Sequence, residues 1–285
     1  FANVAHGCPS LIGINLAMKL ADFVTIEPGF GSDLGAEKFF NILCTMGNLK
    51  PNMTVLVITC KAIKQHGGVS KKNLNIKNLE AVKKGFVNVE KHVENLKLFG
   101  IPLVIAINKF GNDHPEEINL VKNLCMKTGV SSSISDVFSK GGDGGLELAK
   151  NILEILNQPQ PSFRSLYDDS STIKEKINLI SNKIYGAKNV FYTEKAEESI
   201  QMINNLSYDR LPICIAKTPF SFSDDKNLIG RPKDFTITIK NLKISAGAGF
   251  IVVYAGNIMT MPGLSKNPAA EIIDIDDKGK TIGLF

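Results

Sequence analysis

Apolar residues recur along this chain in two rhythms, one of three to four residues and one of short β-branched runs. The helical rhythm predicts a mostly buried helix at Ser10–Asp22, from Leu11, Ile12, Ile14, Leu16, Ala17, Met18 and Leu20, with Ser10 as its N-cap after Pro9. It predicts a long helix at Leu74–Leu98, where Leu79, Val82, Phe86, Val89, Val93 and Leu96 share a face and Gly100 ends the run. Pro115–Thr128 reads the same way, with Glu116 and Glu117 in the first turn, where the helix dipole favours them. Further helices are expected at Gly145–Leu156, Ile173–Ile184 and Glu194–Leu206. The β-type runs are Phe23–Ile26, Met53–Thr59 (the clearest buried strand), Leu103–Ile107, Val130–Ile134, Leu211–Ala216, Phe235–Leu242 and Phe250–Ala255. Ile272–Ile275 and Ile282–Phe285, around Lys278-Gly279-Lys280, predict a small hairpin.

Up to residue 156 helices and strands alternate, which predicts an α/β fold with a mostly parallel, doubly wound sheet flanked by helices. Gln158-Pro159-Gln160-Pro161-Ser162 reads as a linker, after which composition shifts toward a second α/β domain. A length of 285 residues fits two domains. No internal repeat or low-complexity segment is present.

The net charge of +5 comes from 33 basic and 28 acidic residues that are interspersed, which argues against a dedicated nucleic-acid binder and suits anionic small ligands. Trp is absent, so any aromatic platform is built from Phe, Tyr or His. Cys8, Cys44, Cys60, Cys125 and Cys214 are widely spaced without a C-x-x-C pair, so neither a zinc site nor a disulfide framework is expected, and a reducing cytoplasmic setting fits. No apolar run reaches the 18 residues of a membrane span, and no signal peptide opens the chain. The first residue is Phe1 rather than Met, which suggests a fragment or a processed product.

Two stretches read as one ligand pocket. Ile105–Asp113 and Ser135–Gly145 each follow a β-type run and each carries one aromatic, Phe110 and Phe138, at a strand end where α/β sheets hold ligands. Two rings there suit a flat heterocycle. In the second stretch Gly141, Gly142, Gly144 and Gly145 surround Asp143, giving exposed N–H groups for an anion, or simply a tight turn. Gly29-Phe30-Gly31 follows a β-type run and precedes a helix that Asp33 is expected to cap, an order that lets backbone approach a ligand. It is not G-x-G-x-x-G, and no G-x-x-x-x-G-K-[ST] occurs in the chain. Asn108-Lys109 partly matches the base-reading N-K-x-D of GTPases, but position 111 is Gly. Lys61–Gly68 is expected to be a polar loop in which His66-Gly67-Gly68 places an imidazole near phosphate or merely in solvent. His6 is open to a functional or a capping role. No nucleophilic triad is legible, and no metal site.

Taken together, several stretches resemble the formate–tetrahydrofolate ligase family. They are Phe1–Gly7, Gly29–Phe40, His66-Gly67-Gly68, Asn78-Leu79-Glu80, Ala216-Lys217-Thr218, Ser245–Phe250, Met259–Leu264 and the ending Ile273–Asp276 to Gly283-Leu284-Phe285. The resemblance runs the length of the chain and implies roughly the C-terminal half of the family's enzyme. It implies ligation of formate to tetrahydrofolate, with ATP (and Mg2+) and tetrahydrofolate as substrates, formyl phosphate as intermediate and a tetramer as the assembly, and it leaves a monovalent cation open. It further implies that residues 1–100 belong to a P-loop NTPase-like nucleotide-binding domain, that 101–250 form a folate-binding domain and that 251–285 return to the first. Phe110 and Phe138 become the pterin clamp with Ile134 alongside, and Phe30 joins the same cleft. His6, Gly29, Gly31, Asp33, His66, Gly67, Gly141, Gly142, Gly144 and Gly145 become candidates for the phosphate side. Position 138 is usually Trp in the family and position 111 often Pro, and Pro9 stands where a small polar residue is usual. The P-loop and the residues that hold formyl phosphate belong to an N-terminal half upstream of Phe1, so the fragment alone is expected to be inactive. Two rival readings are a non-catalytic folate- or nucleotide-binding relative lacking the P-loop, and a GTPase-like switch.

Overall fold

The computed structural model describes residues 4–159, 162–168, 170–258, 267–277 and 279–283. The motif residues Phe1-Ala2-Asn3 and Met259–Leu264, Gln160-Pro161 of the linker and the closing Leu284-Phe285 lie outside them.

The first layered unit is a parallel sheet of β1 (Thr54–Ile58), β2 (Leu103–Asn108) and β3 (Ser131–Ser135), in that spatial order. Parallel neighbours need crossovers. These are α3 (Cys60–His66) with α4 (Leu79–Lys97) between β1 and β2, and α5 (Pro115–Lys127) between β2 and β3. One sheet face carries Leu56, Ile58, Ile105, Ile107 and Ile134, which pack with Ile63, Val82, Phe86, Val89, Ile118 and Val121 of those helices. The opposite face meets α7 (Leu146–Leu156), where Asn151 Nδ2 donates to the hydroxyls of Ser131 (2.7 Å) and Ser133 (3.3 Å). α7 stops short of β1, and Val55 and Val57 on that face stay exposed. Glu117, buried in the first turn of α5, accepts from Lys64 of α3 at 2.9 Å and from the Asn78 backbone N–H at 2.7 Å, which locks the three crossover helices together.

The second sheet is mixed, in the order β4 (Asn189–Tyr192), β6 (Thr236–Ser245), β7 (Phe250–Ala255), β5 (Ile213–Ala216). Its outer pairs are parallel, and β6 with β7 is antiparallel, with a bulge between Ile239 and Asn241. α8 (Ile173–Leu179), which continues as a π-wound turn over Ile180–Tyr185, and α9 (Glu194–Asn205) cover its inner face through Ile177, Ile180, Ile184, Ile200 and Ile203. That core extends through α2 (31–47), whose Phe40 ring lies 4.4 Å from Phe99 and 5.7 Å from Phe163. Leu56 and Leu103 touch both cores, so the two sheets share one interior. β8 (Asp274–Ile275) and β9 (Thr281–Ile282) form the expected hairpin.

Several expectations need correction. α1 (Leu11–Leu20) forms with Ser10 as cap, accepting from Gly13 N at 3.1 Å, but only Ile14 is buried and Ile12 is 83% exposed. Periodicity reports a helix, whereas burial requires a partner surface. Phe23–Ile26 forms no strand, because a β-type run needs a ladder to join. Lys61–Gly68 is not a loop but mostly α3, capped by Thr59 Oγ1 accepting from Ala62 N at 3.1 Å; its buried side holds Cys60, Ile63 and Lys64. Met53–Thr59, expected to be the clearest buried strand, forms β1 at the edge of the sheet among the described residues, with Val55 and Val57 exposed. The strands follow one another in chain order, so the described sheet has no reversal point of a doubly wound fold; alternation fixes parallel pairing, not the side on which each strand joins. β4 was not anticipated, four residues being too short a signal.

α3 and α4 meet backbone to backbone at two glycines. A Cβ on Gly85 would stand 1.9 Å from Ile63 O, and one on Gly67 would stand 2.1 Å from Ala81 O. Gly85→Ala is therefore expected to destabilise the chain by about 1–3 kcal/mol, seen as a lower urea midpoint at unchanged slope. Gly111→Ala, with nothing within 4 Å of the added carbon, serves as the near-neutral control.

Candidate active site

Three motif stretches converge where the two sheets meet. The turn Gly31–Ala36 is π-wound, a rare winding that clusters at functional positions. Gly31 opens it at φ +86°, and a Cβ on Gly35 would fall 1.4 Å from Gly29 O, so the loop closes on itself only with glycine at 35. This leaves Phe30 85% exposed at the head of the turn. Asp33 does not cap the helix as expected. Its carboxylate is buried against Lys217, 2.7 Å away, just beyond β5. Lys217 also donates to the carbonyls of Thr218 (3.2 Å) and Ser221, and lies 4.9 Å over the Tyr185 ring. Burial alone would raise the Asp33 pKa, but Lys217 and then His92 outweigh it and hold the carboxyl below its ordinary range.

α4 supplies the third side. Ser32 Oγ lies 2.6 Å from Nδ1 of His92, and Asn95 Nδ2 donates to the same hydroxyl at 3.2 Å. The His92 ring packs 4.8 Å from Phe222, and burial, foremost, pushes its pKa down to about 4. His66 Nδ1 accepts from Gly230 N at 3.1 Å; burial lowers its pKa too, with Asp33 pulling the other way. One turn beyond Asp33, Glu37 is fully buried. Asn41 donates to its Oε1 at 2.8 Å, while its Oε2 and the Tyr185 hydroxyl find no hydrogen-bond partner among the described residues. Burial raises the Glu37 carboxyl to about 7.

The second cluster sits at the carboxyl ends of β2 and β3. Lys109 N donates to Ser135 O at 2.9 Å, and the Lys109 ammonium lies 2.9 Å from Asp136, which Lys140 approaches at 3.4 Å. The hydrogen bond from Lys109 is the main reason the Asp136 pKa is lowered. Phe110 N donates to Asp113 Oδ2 at 2.9 Å, fixing the turn that carries the ring. Phe110 is 36% exposed, Phe138 is 89% exposed, and Ile134 is half-buried on β3, paired with Ile107. Lys61 of α3 holds its ammonium 5.0 Å over the Phe110 ring. The glycine stretch is a 3-10 turn, Gly141–Gly145. Asp136 N donates to Gly144 O, and a Cβ on Gly144 would meet Asp136 O at 2.3 Å; Gly141 and Gly142 face open space, and Gly145 lies against Val137.

The structure thus gathers Phe110, Ile134, Phe138 and the glycine turn at one sheet end, and Gly29, Phe30, Gly31, Asp33, His66 and Gly67 at the junction. α3 links the two clusters, with Lys61 and His66 separated by roughly 8 Å along its axis. His6 lies apart, edge-on to Phe250 of β7 at 6.2 Å and accepting from Cys8 N at 3.1 Å. His92 carried no sequence signal, since it sits in an otherwise ordinary helical stretch, whereas Glu37 stood within the Gly29–Phe40 motif and Lys61 within an expected polar loop, neither with a role of its own. Lys217 was visible in the sequence as the centre of the Ala216-Lys217-Thr218 motif after an apolar run, but not as the partner of Asp33.

The family model described as formate–tetrahydrofolate ligase matches residues 1–285. The chain belongs to that family. Its members join formate to tetrahydrofolate and use ATP and tetrahydrofolate as substrates. Among the described residues of this ligase-family chain no helix is long and apolar enough to cross a membrane, and no group of three His, Cys, Asp or Glu side chains is placed to hold a metal ion.

Breaking the Asp33–Lys217 pair from one side leaves a buried charge unpaired. Lys217→Met is expected to cost about 3–5 kcal/mol in chemical denaturation, with Asp33→Asn/Lys217→Met recovering part of that loss. For Glu37 the native state keeps a proton that the unfolded chain releases, so its contribution is whole below about 4.5 and lost as pH rises through about 7. His92 acts oppositely, losing its contribution as pH falls from 6.5 to about 4. Urea midpoints measured from pH 5 to pH 8 should show Glu37→Gln gaining on the wild type as pH rises.

Proposed function

We propose that this chain supplies the folate pocket and part of the ATP cleft of an ATP-dependent formate–tetrahydrofolate ligase that works through formyl phosphate. The observation that carries the reading is the pair Phe110 and Phe138, exposed at neighbouring carboxyl ends of β2 and β3 and tied together by Lys109 and Asp136. A pterin is flat and stacks on ring faces. Ile134 gives it an apolar floor, and the Asp113 bond to Phe110 N holds one ring in place before the ligand arrives. Phe30 joins the clamp in the same substrate cleft, and Gly29, Gly31, Asp33, His66 and Gly67 serve its phosphate side.

In this reading a formate oxygen attacks the γ-phosphate, ADP leaves, and N10 of the folate takes the formyl group from formyl phosphate as phosphate departs. Phosphoryl transfer depends on positioning and charge stabilisation. The sequence carries no G-x-x-x-x-G-K-[ST] element, so that step is served by an N-terminal segment bearing it. The free edge of β1, its exposed Val55 and Val57, and the exposed apolar side of α1 suit such a segment, since parallel sheets are normally covered on both faces. A tetramer of the completed enzyme fits the family resemblance. The missing element also favours a second reading, a non-catalytic folate- or nucleotide-binding relative.

One assay separates them. The 285-residue chain alone is expected to release no ADP in response to formate, and addition of a family N-terminal segment bearing the P-loop is expected to restore release. In the restored enzyme Phe138→Ala should raise the tetrahydrofolate KM about 3- to 10-fold and leave that for formate nearly unchanged. Equal effects on both substrates would remove the pterin role, and failure to restore activity would favour the binding relative.

A further inference from the structure

We infer that Lys61 is a positioning residue of the aromatic clamp: its ammonium covers one face of the Phe110 ring and leaves the other face for a flat heterocycle. The inference rests on the folate-pocket reading and extends it to a residue outside the stacking pair. Lys61 stands in the first turn of α3, straight after β1, and β1 is the hydrogen-bonded neighbour of β2, whose end carries Phe110. Thr59 fixes that turn by capping it. The ammonium lies 5.0 Å from the ring centroid, within the range of a cation–π contact.

The charges nearest the ring on its own strand end are engaged elsewhere. Lys109 and Lys140 both face Asp136, and Asp113 accepts from the Phe110 backbone. Among the described residues Lys61 has no ion-pair partner, and its ammonium faces the Phe110 ring. Phe110 is thus held at its backbone by Asp113 and at one ring face by Lys61. A cation–π contact strengthens when water is removed from it. A heterocycle stacked on the free face excludes that water, so ligand binding and the Lys61 contact reinforce each other.

The test is calorimetric binding of two probes, tetrahydrofolate and tetrahydropterin, to the 285-residue chain under anaerobic conditions. The variants are Lys61→Met, which keeps most of the apolar stem without the charge, Lys61→Arg, which restores a cation, and Phe110→Ala. Lys61→Met should weaken both probes by about five- to tenfold at unchanged melting temperature, and Lys61→Arg should return both to within about twofold of wild type. If Phe110→Ala abolishes binding while Lys61→Met changes neither probe, the positioning role is overturned and the pocket stands. If Lys61→Met weakens tetrahydrofolate alone, the lysine acts on the glutamate carboxylates and the positioning role is again overturned. If Phe110→Ala changes nothing, or the wild-type chain binds neither probe, the pocket itself fails and the inference fails with it.

Discussion

The buried ion pair between Asp33 and Lys217 is the constraint on which the junction of the two sheets depends. Each charge has lost its water, a loss of several kcal/mol per ion that is offset only when geometry is good and the remaining donors are satisfied. Here the donors are satisfied by backbone: Lys217 reaches the carbonyls of Thr218 and Ser221 as well as the carboxylate. Asp33 comes from α2, Lys217 from the end of β5, and His92 beside them from α4. The ion pair ties α2 to β5, and Ser32, next to Asp33, ties α2 to α4 through His92. The tight Gly29 to Gly35 approach and the exposed placement of Phe30 follow from it, because α2 must start where Asp33 can face Lys217.

The strand-end cluster rests on weaker, more local physics. Its position follows from parallel pairing, which brings the carboxyl ends of β1, β2 and β3 to one side. A half-exposed ion pair and a turn hydrogen bond then set the rings. Such contacts contribute little to stability. They matter for where side chains point, which suits a surface that a ligand completes. The rigid junction and the open clamp are joined by α3, whose backbone contact with α4 at Gly67 and Gly85 leaves no room for sliding.

Much of this was legible from residue order. Leu79 to Leu96 spelled α4, with Asn78 capping it in the structure, and Glu116 and Glu117 marked the start of α5. Phe110 and Phe138 were visible as candidates because each follows a strand and precedes glycine or charge. What stayed hidden is instructive. Asp33 has the position of a helix cap and instead meets a partner 184 residues away. Glu117 has the position of a solvated first-turn acid and instead pairs with buried Lys64. A carboxylate's local context names its nearest use, and a distant cation overrides it when folding closes the loop between them.

By itself, the sequence determined the alternation of helices and strands, the parallel pairing that this alternation demands, and the family to which its motif set belongs. These depend on side-chain periodicity and on local turn chemistry, both of which are short-range. Tertiary structure decided the rest: that β1 is an edge, that α1 lies largely uncovered, and that three motif stretches meet around one buried ion pair. It also decided that Lys61 faces a ring rather than water. Each of these depends on which surfaces come together, and burial and charge pairing are properties of pairs of surfaces, which a linear pattern specifies only one side at a time.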